Sequence, residues 1–95
     1  MGYSIVYLPA AKQDIENIAE YLSQFYANTF KNFMITLEKA IFNLENMPYI
    51  GSEYKDYRRL VVEDYLVFYK VNDTNGIVKI YRVLRGAQGV EIEKV

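Results

Sequence analysis

Residues 57–84 read YRRLVVEDYLVFYKVNDTNGIVKIYRVL, and the reading of this stretch decides the fold. Tyr57 to Glu63, Tyr65 to Asn72 and Ile77 to Leu84 are runs of Val, Ile, Leu, Phe and Tyr, side chains that suit a pleated, half-buried surface. Glu63-Asp64 marks one turn, and Asp73-Thr74-Asn75-Gly76 carries the Asn-Gly signal of a tight hairpin. Connections this short join antiparallel neighbours, so 57–84 is expected to form a three-stranded meander. In the middle run Leu66 and Phe68 alternate with Tyr65, Val67 and Tyr69, which makes both faces apolar and places that strand inside the sheet.

Upstream, 49–56 contains Gly51 and Ser52, shows no periodicity and reads as a loop. Before it, Phe30, Phe33, Met34, Leu37, Ala40, Ile41 and Leu44 recur at spacings of three and four, which predicts a helix over 29–47 closed by Pro48. Ile15, Ile18, Ala19, Leu22, Phe25 and Tyr26 predict another over 10–26, entered through Pro9. A short link between them implies a helical hairpin. Residues 3–8 form a first strand, and 86–95 reads as a tail. The expected order is β-α-α-β-β-β: an α+β domain over 1–95, with a twisted antiparallel sheet packed on the hairpin.

The composition narrows the chemistry. The 95 residues suffice for one core, and 52% hydrophobic content with 24% charged residues belongs to a folding chain. There is neither Cys nor His, which removes disulfides, thiolate nucleophiles, Ser-His-Asp triads and the usual zinc sites. No cofactor or metal site is expected. No apolar run approaches the roughly 20 residues of a membrane span, and the first residues lack a basic, signal-like start, so a cytoplasmic protein is the simplest expectation.

Net charge is −1, which gives no global attraction to nucleic acid, but its distribution is uneven. Residues 55–85 hold seven basic against four acidic side chains, including all four arginines, whereas 9–48 hold three lysines against five acids. Two readings stand side by side. Arg58, Arg59, Arg82 and Arg85, interleaved with Tyr57, Tyr65, Tyr69 and Tyr81, form a shallow anion-binding face with stacking surfaces; or alternation merely exposes charges while tyrosine bodies complete the core. Ile35 and Phe42 sit seven apart, off the main seam of the second helix, as a docking stripe or as closure against the sheet. Glu53, Glu63 and Asp64 are turn residues or candidate bases.

The segment DYLVFYKVNDTNGIVKIYRVLRGAQ from Asp64 to Gln88, with LPAAKQDIENIAEYL from Leu8 to Leu22 and the Met47-Pro48 to Gly51 loop before it, resembles the ParE/RelE family of bacterial type II toxin-antitoxin toxins. The resemblance spans almost the whole chain. It implies a toxin neutralised by a cognate antitoxin wrapping the hairpin and sheet, with one of two activities. RelE-like toxins cut mRNA in the ribosomal A site, and ParE-like toxins poison DNA gyrase.

RNA cleavage by 2′-hydroxyl attack needs a base or positioning group, a cation for the phosphorane and a proton donor to the leaving oxygen. RelE-like members carry an arginine after the tyrosine that opens the third strand; here Leu66 follows Tyr65. A second RelE-type arginine falls on Gly86, one residue past Arg85, while Arg58 or Arg59 fits the basic position on the second strand. Relatives with a C-terminal His acid have no counterpart. ParE-like members commonly have an apolar residue at the Leu66 position and need no nuclease constellation, so the resemblance favours a gyrase inhibitor. A ribosome-dependent mRNA endonuclease using Arg59, Arg82 and Arg85, or an inactive homologue that only binds, are the alternatives. The binding set expected for antitoxin or target is Arg58, Arg59, Tyr65, Tyr69, Arg82, Arg85, Ile35 and Phe42.

Overall fold

The fold is built around one sheet whose strand order departs from chain order. A computed structural model describes residues 2–25 and 28–86. It contains β1 (Ser4–Tyr7), α1 (Pro9–Leu22), α2 (Thr29–Phe42), a 3-10 turn (Asn43–Glu45), β2 (Ser52–Tyr54), β3 (Tyr57–Val62), β4 (Tyr65–Asn72) and β5 (Ile77–Arg85). The sheet order is β1-β5-β4-β3-β2. The expected meander is β3-β4-β5, and β4, apolar on both faces, is the middle strand of five.

Three features differ from the sequence reading. The sheet is mixed: β1 pairs parallel with β5, from Ser4 opposite Ile77 to Tyr7 opposite Ile80, because side-chain alternation carries no information on strand direction. The stretch 49–56, read as a loop, holds β2, which pairs antiparallel with β3 across the turn at Lys55, a left-handed residue (φ 55°). Both helices end early. After Leu22 the Ser23 hydroxyl donates to the Glu20 carbonyl, and Phe25 N–H turns back to the Leu22 carbonyl, side-chain and short-range bonds that compete with the helical ladder. After Phe42 the chain tightens, Asn46 and Met47 both donating to the Asn43 carbonyl, so the last carbonyls are met by a 3-10 turn. Tyr26 and the 87–95 part of the expected tail lie outside the described residues.

The core lies between the helices and one face of the sheet. Ala11 and Ile18 of α1, with Phe33, Leu37 and Ile41 of α2, meet Val62, Tyr65, Val67, Tyr69, Val78, Ile80 and Val83. Phe68 is also 1% exposed but points to the opposite face, with the Tyr54 ring 5.6 Å away. Opposite Phe68 the ladder slips by one residue: Phe68 faces Arg82 and Tyr69 faces Ile80, leaving Tyr81 unpaired as a bulge in β5.

Candidate functional site

The bulge and the shortness of β1 decide where Arg82 goes. β1 ends opposite Ile80, so from Tyr81 onward one edge of β5 has no strand beside it, and α1 covers that edge instead. Asp14, on the buried side of α1, meets the Val83 N–H there: its Oδ2 accepts at 3.0 Å. The same carboxylate takes the Arg82 guanidinium in a two-pronged grip, Nε to Oδ2 at 2.6 Å and Nη2 to Oδ1 at 2.8 Å. This hydrogen bond pushes the Arg82 guanidinium above its ordinary value. Arg82 is therefore engaged by the fold, and Asp14 completes a strand edge that would otherwise be an unpaired row of backbone groups.

Arg58 is engaged as well. Its Nε and Nη2 donate to the Gly51 carbonyl at 3.1 and 2.7 Å and Nη2 to the Tyr49 carbonyl at 3.1 Å, while the guanidinium lies over the Tyr49 ring. Gly51 N–H donates to the buried Tyr69 hydroxyl at 2.9 Å, and a Cβ on Gly51 would fall 2.6 Å from that oxygen. Tyr69 thus joins the core and fastens the loop before β2. Tyr65 is buried too, its ring 4.7 Å from Phe33, and burial pushes its hydroxyl up.

Arg59 and Arg85, both half-buried, lie on different parts of the sheet. Arg85 lies over the Tyr21 ring and, with Tyr21 and Tyr65, lines two adjoining grooves of about 390 and 460 Å³ where α1, α2 and the ends of β4 and β5 converge. Phe25, 56% exposed, lines the second. Arg59 stacks over Tyr54, and its buried Nε has no hydrogen-bond partner among the described residues. It borders a depression of about 370 Å³ with Val61, Leu66 and Gly86. Arg59 and Arg82 share a register row through Phe68, but only Arg59 is clear of Asp14. Ile35 and Phe42 are more than half exposed on α2, off the buried stripe of Phe33, Leu37 and Ile41.

Two arrangements were absent from the sequence reading. Asp14 was not singled out, although Ala11, Asp14 and Ile18 lie at i, i+3, i+7, a spacing that puts the acid on the buried face. Tyr3, Tyr49 and Asp73 converge from three separate segments: Tyr3 donates to Asp73 at 2.6 Å and Tyr49 donates to its other oxygen. These bonds push the Tyr49 hydroxyl up to about 12, raise Tyr3 and lower Asp73. No short-range pattern signals that cluster. Among the described residues no group of three or more Asp or Glu is placed to hold a metal, and no helix is long and apolar enough to cross a membrane.

The comparisons with known proteins agree on the architecture. A chain of the chromosomal ParDE toxin-antitoxin system of Pseudomonas aeruginosa superposes with a TM-score of 0.74 at 17% identity, over 87% of this chain and 95% of that one. A free-state variant of the Escherichia coli toxin RelE gives 0.66 at 16%, over 99% and 93%, and a chain of a RelBE-type toxin-antitoxin complex from Mycobacterium tuberculosis gives 0.66 at 17%, over 90% and 99%. At such identities the likeness concerns the fold. No curated protein matches the chain by sequence. Residues 5–90 match the family described as "ParE toxin of type II toxin-antitoxin system, parDE", so the match runs from the second residue of β1 through β5. The chain belongs to the ParE toxin family of type II toxin-antitoxin systems.

Proposed function

We propose that this toxin inhibits DNA gyrase and is held inactive by a cognate antitoxin. The observation that carries the target is the row Val61, Leu66, Leu84, three apolar residues in register across β3, β4 and β5. RNA cleavage requires a cation at the phosphorane and a proton donor at the leaving oxygen, and this row offers hydrocarbon instead. Arg82, which an endonuclease would use, is committed to Asp14. A toxin that acts by binding needs neither group.

The grooves around Arg85, Tyr21, Phe25 and Tyr65 suit the antitoxin, since they combine exposed aromatic area with a cation that engages acidic or carbonyl groups. Ile35 and Phe42 extend the apolar area on α2. Solved structures with this fold include toxin-antitoxin complexes, which supports an antitoxin partner here. The test is induced expression in a bacterium with pulses of labelled thymidine and amino acids, followed by purified gyrase on plasmid DNA. Early loss of thymidine incorporation and accumulation of cleaved DNA are expected. Early loss of amino-acid incorporation with cut transcripts would overturn the gyrase reading in favour of an mRNA endonuclease.

A further inference from the structure

The face of the sheet turned away from the helices carries a feature that the toxin reading leaves unused. Strands β3, β4 and β5 contain no Asp or Glu at all, while alternation puts Arg59, Lys70 and Lys79 on this face. Lys70 and Lys79 are direct cross-strand partners. Like charges in that relation oppose sheet formation, so this pairing costs the fold something. Tyr57 and Tyr81 flank Lys70: the rings meet edge to face with centroids 5.2 Å apart, and Lys70 Nζ lies 4.7 and 5.3 Å from the two centroids. Alternation from Lys79 puts the Tyr81 ring on this same face, and the bulge leaves that residue without a strand partner.

The charge around the site is asymmetric. Glu53 and Asp56 share a depression with Lys70 on the β2 side, and Glu53 lies within salt-bridge range of Arg58. Lys79 lies on the other side of β4, in β5, exposed and without an ion pair among the described residues. The complement to paired ammonium groups is an anion, and the open, shallow ground suits a polymer better than an enclosed small molecule. The phenol rings beside Lys70 distinguish the polymer: a base offers them a π-face, which an acidic peptide does not.

We propose that Lys70 and Lys79, with Tyr57 and Tyr81, bind a single-stranded polynucleotide, the lysines on its phosphodiesters and the rings against its bases. This site is separate from the Arg85 grooves and does not depend on the gyrase reading. The test is fluorescence anisotropy of labelled 12-mers, oligothymidylate and oligouridylate, titrated with the purified chain between 50 and 200 mM salt. The double variant Lys70→Ser/Lys79→Ser is expected to bind at least about tenfold more weakly at low salt. Its slope of log K against log salt is expected to be smaller by about 1.4, that is about 0.7 for each of two phosphate contacts, or about sevenfold over this salt range. Lys70→Arg/Lys79→Arg keeps the charges and is expected to keep the binding and the slope. Lys12→Ser/Lys31→Ser, on the helices, is the control and is expected to change neither. Tighter binding of one oligomer assigns the face to DNA or RNA. Absence of binding to both, an unchanged slope in the sheet variant, or an equal loss in the helix control would overturn the proposal, and none of these outcomes bears on the gyrase assay.

Discussion

Replacing Asp14 by Ala tests how the β5 edge is held. Asp14 is 7% exposed, and its carboxylate accepts three hydrogen bonds, two from Arg82 and one from Val83 N–H. Its loss leaves the Val83 N–H unpartnered under α1, a cost of about 1–3 kcal/mol. Breaking a fully buried ion pair costs about 3–5 kcal/mol, but the Arg82 side chain keeps 22% exposure and turns partly to water, so its share is smaller. The helix gains a few tenths of a kcal/mol from Ala over Asp. The expected loss is about 2–4 kcal/mol, or about 10–25 °C in Tm for a domain of this size. Asp14→Asn keeps an acceptor for Val83 N–H but loses the charge and the second acceptor for Arg82, so it should lie about midway. The assay is urea unfolding followed by far-ultraviolet circular dichroism, since the chain has no Trp, with the slope m checked for constancy. A loss below about 1 kcal/mol for Asp14→Ala, or equal losses for Ala and Asn, would refute the edge-capping argument.

Tyr69→Phe removes the acceptor for the buried Gly51 N–H and should cost about 1–2 kcal/mol in the same assay; a change within about 0.3 kcal/mol would mean the loop is held by Arg58 alone. Asp73 has a lowered pKa, so its hydrogen bonds stabilise the fold above the ordinary carboxylate range and are lost as pH falls through the lowered value; Tyr49, raised to about 12, holds its contribution below pH 10 and loses it as pH rises through that value. Asp73→Asn should therefore flatten both the acid and the alkaline limbs of the stability profile, and identical limbs in the variant would contradict the cluster. Arg85→Ala should weaken antitoxin binding at least about tenfold without lowering Tm by more than a few degrees, measured by calorimetry on the purified pair; unchanged affinity would move the antitoxin elsewhere.

What the sequence made legible was what short range encodes. The β3-β4-β5 meander announces itself through alternation and the Asn-Gly turn, and both helices through their three-four spacing. The parallel partner of β1 was not legible, because Tyr7 and Ile80 are brought together by the whole intervening chain. β2 escaped because three residues, Ser52 to Tyr54, are too few to display a period. Among the arginines, neighbours in sequence diverge in space. Arg58 turns to the Gly51 carbonyl while Arg59 stacks on Tyr54, and the bulge at Tyr81 accompanies the reach of Arg82 to Asp14. Tyr65 and Tyr69 alternate in phase with Val67, and that shared phase is the reason they are buried.

The parallel β1–β5 pair also sets an order of events in folding. Joining Asn72 to Ile77 closes a loop of four residues, whereas joining Ser4 to Ile77 closes one of 72. With loop-closure entropy growing as (3/2)RT ln n, the second closure costs about 2.6 kcal/mol more before any contact repays it. The β4–β5 hairpin should thus form early and β1 should dock late, with α1 arriving on the β5 edge in the same step. During synthesis β1 precedes its partner by about 70 residues and stays unpaired until residue 80 has left the ribosome. The grooves between α1 and the end of β5 exist only after that last docking, which makes their appearance a late event in the life of each molecule.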